Sequence, residues 1–383
     1  MTRTISIAAL GLLACGQPGA GPDAAGAVDT ASSVDAANAP DAATAPLSWY
    51  PGNYALLVQP GPSKTEADAL AAFLDSALAD DFTGVQIVYA WSVMEPTENS
   101  YGVAGIATDL AVAAAHGKKV IIQTQYKTFD PEGVAVPAYL LVSGSEYCVG
   151  TVCGQYRTSN AWMPMLWQGA TEARLQAWLS ALATAVAQDP NRDVVAGFTL
   201  PESAVGQGSA ATLSEVMYNA DTYLAALEAN AQTLSASASG IPITQYLNEY
   251  SPDGGTLGTD FDYLTAYTTF ATQHPPIGIG CPDVASGTWG KDSVPTAYPI
   301  LLDSSYHGVV PFNVSVQQTD YEAPRAASLD ATYAVATGSD SGDMAAQFVN
   351  WQDIDPPGAV FGFSDAAPYV MQHPDPNSAR PTW

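Results

Sequence analysis

Val194-Val195-Ala196-Gly197-Phe198-Thr199-Leu200-Pro201-Glu202 reads as a buried strand that stops at a proline and delivers a carboxylate. A short apolar run rich in β-branched and aromatic residues fits a strand, and proline cannot continue a central ladder. A carboxylate just past a buried parallel strand stands where barrel enzymes keep their reactive groups. The rest of the chain is therefore read for strands of the same kind and for partners of Glu202.

Seven further β-rich apolar runs occupy 54–58, 84–90, 119–125, 243–247, 277–280, 309–316 and 359–363. Helical spacing fills the intervals at 64–78, 106–116, 171–187, 212–235, 260–272 and 327–351. In 171–187 the stripe is Leu175, Trp178, Leu179, Leu182 and Val186, which recur at the period of one helix face. The interval 293–305 carries only a short apolar patch. Strands alternating with helices predict an α/β fold, a single (β/α)8 TIM barrel spanning 47–383. An open doubly wound sheet would want a glycine-rich phosphate turn after its first strand, and Gln59-Pro60-Gly61-Pro62-Ser63 does not supply one.

Composition narrows the partners. The 383 residues are 47% hydrophobic and 10% aromatic, which describes a globular protein. Eleven Lys+Arg stand against 38 Asp+Glu, a formal charge of −27. Such a field repels nucleic acid and anionic lipid and disfavours polyanionic substrates.

The first fifteen residues read as a targeting segment. Arg3 precedes the apolar stretch from Ile5 to Leu13, which is too short to span a bilayer. Leu12-Leu13-Ala14-Cys15 resembles the lipobox at which bacterial lipoproteins are cleaved and lipidated. That resemblance implies lipidation at Cys15 and a place in the bacterial cell envelope, on the outer membrane or cell surface, the acyl chains being the only membrane contact. An ordinary secretory signal is the alternative, and the protein is then secreted. Residues 16–46 hold Ala, Asp, Gly, Pro, Ser, Thr and Val with hardly any other type and no apolar period, the composition of a disordered tether. Cys148 and Cys153 close a short loop in an exported chain, so a disulfide is expected. Metal binding is the competing reading, but no nearby His or further Cys completes a zinc site. His116, His274, His307 and His373 show no ligand spacing. Neither a metal nor a cofactor is expected, and the protein is expected to be a monomer.

Reading just past each run gives the residues expected at the barrel mouth. They are Gln59; Trp91 and Glu95; Gln123, Gln125, Tyr126 and Lys127; Glu202; Gln245, Asn248 and Glu249; Asp283; Gln317, Gln318 and Asp320; and Asp365. Amides and carboxylates bind hydroxyl groups, and aromatic faces stack on sugar rings, so a neutral carbohydrate is the expected ligand class. Tyr147, Tyr156, Trp162, Trp167 and Trp289 are candidate platforms, each equally suited to packing.

Three segments carry a family likeness. Trp91-Ser-Val-Met-Glu95-Pro96-Thr-Glu-Asn-Ser-Tyr101 is similar to the W-x-x-x-E-P-x-x-G-x-Y segment of the barrel glycoside hydrolases called clan A. Lys118-Lys119-Val120-Ile121-Ile122-Gln123 and Leu200-Pro201-Glu202 follow in the same order. The resemblance implies a glycosidase with Glu202 as general acid/base, although Pro201 stands where those families commonly have Asn. It also implies a nucleophilic glutamate at the seventh strand, where Phe312-Asn313-Val314-Ser315-Val316-Gln317-Gln318 offers amides instead. Glycoside hydrolysis generally needs two carboxyl groups. Asp283, after Gly278-Ile279-Gly280-Cys281-Pro282, is the expected partner, ahead of Glu249 and Asp365, while Glu95 is expected to anchor its own loop. The expected activity is that of a lipid-anchored glycoside hydrolase. The alternative is a non-catalytic carbohydrate-binding barrel that lacks the seventh-strand nucleophile.

Overall fold

Apolar runs separated by amphipathic segments have few ways to bury both faces of a sheet, and closure with helices outside is one of them. The computed structural model describes residues 48–57, 65–128, 133–157, 162–205, 214–238, 240–248, 262–286, 296–338, 340, 342–374, 377 and 379–381. Eight parallel strands close into a barrel: β1 Gly52–Leu57, β2 Gly84–Ala90, β3 Lys119–Gln125, β4 Val195–Leu200, β5 Ile243–Tyr246, β6 Ile277–Cys281, β7 Phe312–Val316 and β8 Phe348–Gln352. Each pairs with its sequence neighbours, and β8 pairs with β1 through Gly52↔Phe348 to Leu56↔Gln352. Among the described residues, the α-helices of five or more residues are α1 Thr65–Leu74, α2 Ala104–Ala115, α3 Gly169–Gln188, α4 Ala220–Ser237, α5 Asp262–Gln273, α6 Ala297–Leu301, α7 Leu329–Thr337 and α8 Phe363–Gln372.

The fold is the expected barrel with one strand relocated. The stretch 359–363 is not the eighth strand; it runs through a loop to the first residue of α8. The expected helix over 327–351 is instead α7 followed by β8. Gly338 and Gly342 interrupt the helical pattern, and Gly342 adopts φ +106°, a conformation open to glycine. Phe348, Val349 and Trp351 then bury their side chains on the two faces of a strand that β1 and β7 both need as a neighbour.

Strand alternation divides the core. Outward residues such as Val85, Ile87, Ile122, Val314 and Trp351 join the main cluster with the helices. Inward residues at the N-terminal end of the barrel, Tyr54, Ile121, Ala196 and Phe348, form a separate cluster against which Trp49 and Tyr50 pack. Above them the barrel interior is polar. Asn313 Nδ2 on β7 donates to Thr199 Oγ1 on β4 at 2.8 Å, and Gln86 Nε2 on β2 donates to the Tyr246 hydroxyl on β5 at 3.2 Å. Asn350 on β8 donates to Asn313 Oδ1 at 2.5 Å, and Tyr246 shares a 2.6 Å hydrogen bond with Ser315. Bonds between non-adjacent strands cross the lumen and satisfy most of these buried polar groups, while Asn350 Oδ1 has no hydrogen-bond partner.

Candidate active site

A cavity of about 410 Å3 opens at the C-terminal end of the strands, the end at which barrel enzymes carry their loops and chemistry. Leu56, Val88 and Ala90 come from the inward faces of β1 and β2, and Gln123 and Gln125 from that of β3. Lys127, Pro201, Glu202, Pro282 and Gln317 stand beyond the ends of β3, β4, β6 and β7. Ser92, Val93, Val134 and Ala135 complete much of the wall. Tyr246 is the one aromatic side chain lining the cavity among the described residues.

Glu202 is half-buried, and its Oε2 accepts a hydrogen bond from Asn248 Nδ2 at 2.9 Å. Burial pushes its pKa up to about 7, with a further push from the charge of Asp283. The Asn248 amide, Lys127 and Arg325 pull it back only in part. A carboxyl in this state keeps its proton to near neutrality, which is what a general acid requires.

Asp283 follows Pro282 at the end of β6, and Arg325 Nη1 lies 2.9 Å from its Oδ1. The same guanidinium nitrogen lies 3.3 Å from Oδ1 of the fully buried Asp320. Asp320 Oδ2 accepts from the backbone N–H of Val284 and of Gln317, at 3.1 and 2.9 Å, so it fastens the end of β6 to the end of β7. Burial raises the pKa of Asp283 against the pull of Arg325, and raises that of Asp320 further, with Asp283 adding to it. The ammonium of Lys127 donates to the backbone oxygens of Glu202 and Ala204. Burial lowers its pKa, and the charge of Glu202 opposes that shift.

Several residues expected at the mouth stand elsewhere, mostly because side chains alternate along a strand. Trp91 is fully buried outside the barrel, stacked on Trp178 of α3 at 6.3 Å, with Nε1 donating to Glu95. Tyr126 is buried in the core between Gln125 and Lys127, both of which line the cavity. Gln245 is fully buried, with Nε2 donating to the backbone oxygens of Pro201 and Tyr246. Asp365 lies in the first turn of α8, not at a strand end, and its Oδ2 accepts from the Gly362 N–H at 3.0 Å. Glu95 is buried against Arg174 and the Asn99 N–H, an anchor for the loop after β2. Gln123, Gln125 and Gln317 do line the cavity, and Asn248 reaches Glu202. Gln317 also donates to the Pro282 oxygen at 2.7 Å.

Cys148 and Cys153 are joined in a disulfide across a two-residue strand pair. Tyr147, Tyr156 and Trp167 are buried in the packing of this insertion, and Trp162 packs on it half-exposed; none of the four lines the cavity. Cys15, Gln59, Glu249 and Trp289 lie outside the described residues, as do the leader and tether expected over 1–46. Among the described residues no group of three or more His, Cys, Asp and Glu is disposed to hold a metal ion, and no helix is long and apolar enough to cross a membrane. The sequence places Lys127 at the mouth without showing what it binds, and it does not point to Arg325. Lys127 shares the inward parity of Gln123 and Gln125; Arg325 reaches Asp283 only through the loop after β7.

No protein-family model matches the chain, and a comparison with curated protein sequences yields no match. Solved structures do match. A GH5_18 protein from Streptomyces cattleya in complex with GlcNAc superposes with TM-score 0.52 at 15% identity, covering 85% of this chain and 79% of that one. A second GH5_18 protein, from Bifidobacterium longum and in complex with Manb1-4GlcNAc, gives 0.52 at 13% identity over 84% and 76% of the two chains. The catalytic domain of a beta-amylase from Paenibacillus polymyxa gives 0.57 at 9% identity, over 84% and 98%. At these identities the shared property is the fold: a closed barrel of eight parallel strands that this chain has in common with glycoside hydrolases.

Proposed function

We propose that the protein is a glycoside hydrolase acting on a neutral external glycan, with Glu202 as general acid. One observation carries the reading: a carboxyl whose pKa is held up to about 7 lines the cavity at the end of β4. Glu202 donates its proton to the departing glycosidic oxygen. Asp283, held beside Arg325, is the carboxylate that opposes it and stabilises the oxocarbenium-like centre or activates water. Gln123, Gln125 and Gln317 orient sugar hydroxyls from the cavity wall. The bound sugars named for the matched GH5_18 proteins make mannosyl and N-acetylglucosaminyl oligosaccharides the first substrates to try. The domain works outside the cell, held to the envelope by a lipid on Cys15 through the segment 16–46.

Reducing-end release over a panel of neutral glycans tests this reading. Glu202→Gln should lower kcat by about 100-fold or more, the usual contribution of a positioned acid. Release that survives the substitution unchanged excludes Glu202 from the role. The amide of Gln317 at the end of β7, together with the Arg325 contact on Asp283, favours one second reading, a carbohydrate-binding barrel without hydrolysis. Calorimetric binding of a glycan that is never cleaved would establish that reading instead.

A further inference from the structure

The three residues that leave β4, Glu202, Ser203 and Ala204, have every backbone oxygen held by a side chain from another element. Lys127 Nζ takes the Glu202 oxygen and, at 2.6 Å, the Ala204 oxygen. The Tyr223 hydroxyl of α4 donates to the Ser203 oxygen at 2.8 Å, and the Tyr263 hydroxyl of α5 reaches the same atom at 3.3 Å. Lys127 Nζ closes the arrangement by donating to Tyr223 at 3.2 Å, so its three N–H groups face three oxygens. Lys127 itself is held, since its backbone oxygen accepts from Gln125 Nε2 at 2.7 Å. An ammonium 4% exposed is costly to bury, and bonds to three acceptors offset that cost.

We propose that Lys127 is the positioning residue for Glu202: its buried ammonium clamps the exit of β4 to α4 and thereby holds the carboxyl at the cavity. This rests on Glu202 being the working acid. The clamp acts in two ways. It immobilises the backbone that carries the acid, and a displacement of about 1 Å at a reacting group can cost about 100-fold in rate. It also places a positive charge beside the carboxyl, which favours the ionised form and keeps the Glu202 pKa from rising further. The other groups facing Glu202 are Asp283 and Cys281 from β6 and its exit, Arg325 from the loop after β7, and the neutral amide of Asn248. Those facing Lys127 are Glu202 and Tyr223.

The test compares wild type, Lys127→Met and Lys127→Arg in the full-length chain. In Lys127→Met, kcat should fall roughly 100-fold with KM nearly unchanged, and the high-pH limb of the rate profile should move upward. Lys127→Arg, which restores the charge, should return the limb towards wild type. A Lys127→Met protein with a lower melting temperature but unaltered kcat and pH profile overturns the proposal, because the lysine is then only a structural strut. Carbon-13 titration of the Glu202 carboxyl, identified by its loss in Glu202→Gln, separates this from the reading above. If wild type releases no sugar yet the carboxyl titrates higher in Lys127→Met, the hydrolase reading fails and the clamp stands. If the carboxyl titrates unchanged, the clamp fails. Should Lys127→Met not fold, Tyr223→Phe removes one partner of the ammonium and must lower kcat; an unaltered kcat overturns the proposal.

Discussion

At the residue scale, the protonation of Glu202 is a balance among few groups. Burial and Asp283 raise its pKa, while Asn248, Lys127 and Arg325 lower it. An acid must carry its proton to act, so hydrolysis should decline as pH rises through about 7. The Asn248 amide donates to the carboxylate at 2.9 Å and therefore favours the ionised form. Asn248→Ala should shift the high-pH limb upward by about one unit, since a hydrogen bond to a charged acceptor is worth about 1.5 kcal/mol. A pH-rate profile measures this directly, and a downward shift would contradict the assignment. Asp283, at the end of β6, and Asp320, just past β7, converge on the one guanidinium of Arg325.

At the element scale, α3 joins the loop after β2 to the core and carries a buried acid of its own. Arg174 on α3 binds Glu95, Asn99 Oδ1 at 3.0 Å and the Tyr139 hydroxyl at 3.0 Å, tying the helix to the W-x-x-x-E-P segment and to the insertion after β3. Glu172, in the first turn of α3, accepts from Gln176 at 2.9 Å, and burial pushes its pKa up to about 8 from 4.5. The consequence for stability has a definite sign. Below pH 4.5 both folded and unfolded chains hold this proton; between 4.5 and 8 only the folded chain does, so stability falls as pH rises through that window. Glu172→Gln keeps the shape and removes the titration. The difference in melting temperature, variant minus wild type, should grow between pH 5 and pH 8, and a constant difference would rule the account out. The same elements show why motif and role separated in the sequence. The tryptophan of the W-x-x-x-E-P segment points outward to Trp178, and its glutamate points to Arg174.

At the scale of the whole molecule, the barrel closes on itself and leaves none of its eight strands as an edge. A charge of −27 suits a neutral glycan better than an acidic one. Tethering is testable apart from catalysis: Cys15→Ser should move the protein from the detergent phase to the aqueous phase in a partition assay and abolish acyl labelling, with glycan release unchanged. Wild-type protein found wholly in the aqueous phase would dispose of the anchor. The sequence alone determined the alternation of strands and helices, seven of the eight barrel strands, and the address of Glu202, because apolar period and proline stops are local properties. It placed Gln123, Gln125 and Gln317 at the mouth, and it misplaced Trp91, Tyr126 and Gln245, where counting along a strand ignored which way each side chain faces. Only the tertiary structure decided β8, since Phe348-Val349-Asn350-Trp351-Gln352 becomes a strand by pairing with β1 and β7. The sequence named Asp283 as a partner for Glu202, and the structure alone added Arg325 and the contacts of Asn248 and Lys127. Asn248, Lys127, Asp283 and Arg325 come from four separate connections, and burial, which sets their charges, exists only once the barrel has closed.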